Sequence, residues 1–207
     1  MSLRAVVFDF GGVLFDWNPD YLYRKLIPDE AERRWFLEHV CSPAWNLQQD
    51  GGRPFGEAEA ALIAEHPQHE ANIRAFFKRW PETLAGTLAD GVALMEALEA
   101  ADVPLYGLTN WSDETFPYAW AHYPLLHRFR DIVVSGRLKL IKPDPAIYHE
   151  MHGRIGRDLP GVAAHELAFI DDNRDNANAA TALGWHGIHH TSAARTAERL
   201  RQLGLDF

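Results

Sequence analysis

The sequence predicts an α/β chain, built on an open, mostly parallel sheet flanked by helices, with a small helical insertion after the first strand. Three observations predict it. Short, continuous apolar runs recur along the 207 residues, as expected of strands buried on both faces. Helical stretches separate several of these runs, and strand–helix alternation builds parallel sheets. Segment 16–86 carries apolar and aromatic residues at helical spacing and has no convincing strand.

The first run, "LRAVVF" from Leu3 to Phe8, reads as a buried strand. The insertion follows, with Trp35, Phe36 and Val40, then Ile73, Phe76, Phe77 and Trp80 at helical spacing; "GGRPFG" (Gly51 to Gly56) and Pro67 divide it. "LADGVALMEALEAA" places Val92, Met95 and Leu98 three apart and reads as a helix, with the strand "VPLYGL" (Val103 to Leu108) after it. "DIVVS" (Asp131 to Ser135) and "ELAFI" (Glu166 to Ile170) are further strands, and "WHGIHH" (Trp185 to His190) is a weaker one. "NRDNANAATALG" ends in Gly184, a residue suited to a helix C-terminus, and "TSAARTAERLRQLGLDF" reads as a closing amphipathic helix. The expected division is a core of 1–15 and 87–207, with a helical cap of 16–86 packed over the carboxyl edge of the sheet.

Polar residues stand at four of these strand ends. Asp9 follows the first strand, Thr109 and Asn110 follow "VPLYGL", Lys142 lies beyond "DIVVS", and Asp171 and Asp172 follow "ELAFI". Open α/β sheets bind ligands beyond the carboxyl ends of their strands. Taken singly, each aspartate also reads as a helix cap or a turn former, and Lys142 as a solvated charge before Pro143. As a set they make a plausible site. Asp9 is a candidate carboxylate nucleophile. Asp171 and Asp172 would repel it unless a hard dication such as Mg²⁺ joined them. Lys142, Thr109 and Asn110 can meet the oxygens of a transferring group.

The remaining composition sets bounds. Twenty basic residues against 29 acidic ones give a formal net charge of -9, which opposes a broad nucleic-acid surface but leaves room for a small anionic substrate. No apolar run is long enough to span a membrane and the opening residues lack a signal-peptide pattern, so the expectation is a cytoplasmic protein without membrane contact. Oligomeric state is not legible. The lone Cys41 reads as a buried hydrophobe. His39, His66 and His69 read as surface or packing residues, and Asp16 and Asp20 as polar groups near the cap entrance. Trp17 and Trp111 flank the expected pocket.

In combination, "VVFDFGGVL", "LYGLTNWS", "LIKPDPAIY" and "LAFIDDNRDNANAA" resemble the haloacid dehalogenase-like hydrolase superfamily, over essentially the whole chain. The resemblance implies a Rossmann-like core with a cap inserted after the first strand, as in sugar-phosphate phosphatases and 2-haloacid dehalogenases. It implies Asp9 as nucleophile, Thr109 and Asn110 as the second motif, Lys142 as the third, and Asp171 with Asp172 as the acidic fourth. It also implies Mg²⁺ held by Asp9, the Gly11 carbonyl and Asp172, with Asp171 beside them.

Gly11 departs from the pattern. Most phosphatases of the superfamily have at this position an aspartate that protonates the leaving group and later activates water. Three answers compete: a phosphatase using water, a cap residue or a good leaving group; a dehalogenase, whose departing halide needs no proton; or a noncatalytic phospho-ligand-binding protein. The retained acidic pair in "FIDDN" favours the metal-dependent phosphatase, acting on a small phosphomonoester such as a sugar phosphate through an aspartyl-phosphate.

Overall fold

The computed structural model describes residues 3–207, so the first two residues of the expected core segment lie outside the described range. Five parallel strands form the central sheet in the order β5-β4-β1-β6-β7. They are β1 (Ala5–Phe8), β4 (Leu105–Thr109), β5 (Ile132–Val134), β6 (Leu167–Asp171) and β7 (His186–His189), and each falls within or across one of the apolar runs. Strand alternation sends Ala5 and Val7 to one face and Val6 and Phe8 to the other, and all four are fully buried. Helices therefore cover both faces, which is why these strands read as continuous apolar runs.

One face packs against α9 (Pro145–Asp158) through Ile147, Tyr148, Met151 and Ile155, with α10 (Arg174–Ala182) adding Ala180. The other face packs against α6 (Ala89–Ala100) and α11 (Ala193–Gln202) through Leu94, Met95, Leu98 and Leu200. Two shorter helices, α7 (Phe116–His122) and α8 (Ser135–Leu138), flank β5 in sequence.

Between β1 and α6 lie α1 (Asp20–Leu26), α2 (Glu30–His39), α3 (Pro43–Asp50), α4 (Phe55–Glu65) and α5 (Glu70–Lys78). Each of the first turns of α2 and α3 is capped by a side chain: Asp29 accepts from Glu32 N at 2.8 Å, and Ser42 accepts from Trp45 N at 3.2 Å. These helices share a core of Tyr23, Phe36, Trp45 and Phe76.

One expectation is corrected. The segment read as strand-free is bounded by an antiparallel ribbon of β2 (Phe15–Trp17) and β3 (Leu84–Thr87), which pairs Phe15 with Thr87 and Asp16 with Gly86. The helical insertion leaves and rejoins the sheet domain through this ribbon. Strands of three and four residues are too short to show alternation, and Gly86 interrupts β3, so no periodic signal existed to read.

Candidate active site

The chain runs from β1 outward to β4 and β5, then returns to build β6 and β7 on the other side of β1. That reversal is a switch point, where the flanking connections diverge and leave a crevice at the carboxyl ends. Thr109, Asp9 and Asp171 stand at the ends of the three adjacent strands β4, β1 and β6. Lys142 arrives from the loop between α8 and α9, whose Lys142–Pro143 peptide bond is cis.

The structure brings the charged candidates together. Lys142 Nζ donates to Asp9 Oδ1 at 2.8 Å and to Asp171 Oδ2 at 2.7 Å, and lies 5.3 Å from the centre of the Phe169 ring. Asp171 is fully buried and also accepts from the Asn173 N–H and from Asn176 Nδ2. Its oxygens are thus committed to orienting Lys142 and the start of α10. Asn110 is committed in a similar way: its Oδ1 accepts from Lys142 N at 2.8 Å and its Nδ2 donates to Lys142 O at 3.1 Å. The Asn110 side chain fixes the loop that carries the lysine. Thr109 is buried at the strand end beside it.

Asp9, Asp171 and Asp172 each offer a carboxylate oxygen within 4.8 Å of the others, a cluster compatible with a divalent cation. Gly12 makes this approach possible, with φ at +67° and so little room that an added Cβ would lie 2.2 Å from Asp172 Oδ2. Gly11 differs, because a Cβ there would have no heavy atom within 4 Å. Burial raises the Asp9 carboxyl above the ordinary carboxylate range; Lys142 opposes the shift, while the charges of Asp171 and Asp172 add to it. Asp172 is raised too, by burial and then by Asp171. Burial pulls the Lys142 ammonium down, but Asp9 and Asp171 more than offset it and its pKa is raised.

Beside the cluster is a cavity lined by Gly11, Thr109 and Asn110 and by the aromatic side chains Phe15, Trp17, Phe55, Phe77, Trp80 and Trp111. Trp111 sits edge-on to Phe15 at 5.7 Å and against Trp80 at 5.6 Å, so sheet domain and insertion share one aromatic wall. Several polar members are already bonded to neighbours. Asn46 donates to Asp50, Thr115 accepts from Trp111 Nε1, and Ser112 Oγ accepts from the Glu114 N–H.

Other sequence candidates stand apart. Asp16 accepts from the Tyr21 hydroxyl and Asp20 pairs with Arg24 and Arg33; neither lines this cavity. His39 stacks on Trp35 and His69 packs against Phe36, outside the lining. Cys41 is buried against the Tyr23 hydroxyl, and burial pushes its thiol up to about 12, so it is an inert core residue.

Sequence reasoning passed over Asp50, the last residue of α3, which lines the cavity. The one local signal was a carboxylate directly before the Gly51–Gly52 break, which reads as a turn residue.

No family model matches the chain. It is 26% identical over 202 residues to the sesquiterpene phosphatase astK of Aspergillus oryzae, covering 98% of this chain and 97% of that protein. It is 24% identical over 188 residues to the drimenol cyclase drtB of Aspergillus calidoustus, of which it spans 34%. Among solved structures, an HAD-like family hydrolase from Porphyromonas gingivalis superposes with a TM-score of 0.71 at 21% identity, covering 98% of this chain and 99% of that one. An HAD family enzyme from Bacteroides thetaiotaomicron, in complex with magnesium and inorganic phosphate, gives a TM-score of 0.65 at 19% identity over 92% of this chain and 96% of that one. The L-2-haloacid dehalogenase of Xanthobacter autotrophicus, with chloropropionic acid covalently bound, gives 0.60 at 19% identity over 89% and 76%.

These superpositions show the fold, a Rossmann-like sheet domain with an inserted helical cap. The fold is thus the one these HAD family structures share, and the strand-end carboxylates of this chain form a cluster compatible with a divalent cation.

Proposed function

We propose that the chain is a Mg²⁺-dependent phosphatase that hydrolyses a small, apolar phosphomonoester through an aspartyl-phosphate on Asp9, with residues 16–86 acting as the cap. The observation that carries this reading is the cluster of Asp9, Asp171 and Asp172 around a single lysine, beside an aromatic cavity. Three carboxylates against one ammonium leave an excess of negative charge where an anionic substrate must bind. A cation resolves that conflict, and an all-oxygen donor set suits Mg²⁺ better than a softer metal. Asp9, Asp172 and the Gly11 carbonyl would hold it, with Asp171 behind them. Once bound, the ion supplies charge neutralisation for the transferring phosphoryl group.

The chain's own residues supply the rest. Asp9 attacks phosphorus in line with the leaving oxygen, and that P–O bond breaks with its electron pair on the departing alcohol oxygen. Lys142, held at Asp9 by Asp171, orients the nucleophile and meets a phosphoryl oxygen. The Thr109 hydroxyl donates to another, and Asn110 acts as a positioning residue through the Lys142 backbone. Water then attacks phosphorus, and the pair of the Asp9–phosphorus bond returns to Asp9.

The lining favours an apolar alcohol over a sugar, since its aromatic side chains face the cavity while Asn46, Ser112 and Thr115 are engaged with neighbours. The relative named as a sesquiterpene phosphatase supports the same substrate class. The cavity holds about 80 Å³, and a larger one of about 440 Å³ adjoins it, sharing Trp17 and Asn46. Asp20, Glu30, Arg33, Arg34 and Glu38 border the larger cavity, so the aromatic one is the place for the apolar group.

One observation favours a second reading. Gly11 offers no acid, and halide departs without a proton, as a dehalogenase requires. Incubation with alkyl phosphates and with L-2-chloropropionate, each with Mg²⁺ or EDTA, separates the two. Phosphate release abolished by EDTA is the expected result; chloride release indifferent to EDTA would establish the dehalogenase instead.

A further inference from the structure

An alkyl alcohol is a poor leaving group unless its oxygen gains a proton as the P–O bond breaks, and Gly11 has no side chain to give one. Among the described residues lining the cavity, Asp50 carries the one titratable side chain. Its placement is held by several ties. Asn46 Nδ2 donates to Asp50 Oδ2 at 3.0 Å, the Ser112 N–H donates to the same carboxyl group, and Ser135 Oγ donates to the Asp50 backbone oxygen at 2.5 Å. Ser135 Oγ in turn accepts from the Trp111 N–H at 2.9 Å. The end of α3 is thereby docked onto the loop that follows Thr109 and Asn110, and the cap delivers a carboxyl group to the wall of the reaction cavity.

We infer that Asp50 is a catalytic acid and base, giving its proton to the leaving oxygen in the first step and taking one from the attacking water in the second. This inference rests on the phosphatase reading above. The balance closes: the alcohol leaves with Asp50's proton, the water proton regenerates the acid, and the sum is ester plus water giving alcohol plus phosphate. The surroundings favour a protonated resting state. Burial pushes the Asp50 carboxyl up to about 8; the Ser112 N–H opposes the shift and the charge of Asp9 adds to it. Asn46 and the Ser112 backbone, which bond the carboxyl, bring no charge of their own.

The test compares the full-length wild type with Asp50→Asn on two esters in Mg²⁺: an alkyl phosphate, whose alcohol needs a proton, and p-nitrophenyl phosphate, whose phenolate leaves without one. For the alkyl ester, Asp50→Asn is expected to lower kcat/KM by about 10²–10⁴. For the aryl ester, the first-turnover burst of phenolate falls far less, and a slow steady state follows because water activation is lost. Asp50→Glu recovers part of the alkyl turnover, and the basic limb of the wild-type alkyl pH profile is absent in Asp50→Asn. Equal losses on both esters, or no loss on either, would overturn the role of Asp50 while leaving the phosphatase reading in place. A wild type that hydrolyses neither ester in Mg²⁺ would overturn the phosphatase reading, and the role of Asp50 with it.

Discussion

Lys142 stands between Asp9 and Asp171 with both contacts shorter than 3 Å and almost no exposure. Removing one partner from a buried ionic cluster leaves uncompensated charge, at a cost of about 3–5 kcal/mol. Lys142→Ala is therefore expected to lose stability on that scale in urea melts, with added Mg²⁺ restoring part of it. The adjacent glycines separate two requirements. Gly11→Ala meets open space and is expected to leave the fold and Mg²⁺ binding intact, whereas Gly12→Ala drives a methyl group into Asp172 and is expected to abolish Mg²⁺ binding measured by calorimetry. The space at Gly11 also makes Gly11→Asp a second-site test: in an Asp50→Asn background it should raise turnover of the alkyl ester. Asp9, Thr109 and Asp171 were legible because each stands where an apolar run stops, whereas Lys142 comes from the loop after α8 and reaches them only through the fold. Asp50 was not, because its role depends on where a cap helix docks, and no local pattern encodes docking.

At the scale of elements, α3 is the piece that joins the cap to the site. Besides the Asp50 ties, the Phe55 N–H at the start of α4 donates to Glu114 Oε1 at 2.7 Å, from the loop before α7. A double variant, Ser135→Ala with Glu114→Ala, is expected to loosen this docking. Hydrogen exchange should then quicken in α3 and α4 while the sheet stays protected. The docking is also linked to pH. Asp50 has its folded pKa pushed up to about 8, against an ordinary value near 3.8. Between those values the folded state holds a proton that the unfolded state has released, so this group's contribution to stability declines as pH rises through that window. Thermal melts of the wild type should lose stability over that range more steeply than those of Asp50→Asn. The parallel strands and the α6 and α10 helices were readable from continuous apolar runs and helical spacing. The β2/β3 ribbon was hidden, since two strands this short are stabilised by pairing with each other rather than by a periodic pattern.

For the whole molecule, a net charge of -9 surrounds a site proposed to take an anion, so binding relies on local compensation by Lys142 and a cation rather than on long-range attraction. Selectivity then falls to the apolar part of the substrate. Each methylene buried against the aromatic wall contributes about 0.8 kcal/mol, or roughly fourfold in kcat/KM, until the cavity is filled. A series of alkyl phosphates should follow that slope, with sugar phosphates of equal size well below it; a flat series would remove the aromatic cavity as the selector. Among the described residues no helix is long and apolar enough to cross a membrane.

The central claim is attack on phosphorus by Asp9, and it is tested most directly by mass spectrometry of the Asp9 peptide, acid-quenched during turnover of an alkyl phosphate with Mg²⁺ in heavy-oxygen water. The predicted result is a phosphoryl group on Asp9, with heavy oxygen appearing in released phosphate and not in the Asp9 carboxyl. Heavy oxygen built into Asp9, or turnover with no phosphoryl group on that peptide, would contradict it.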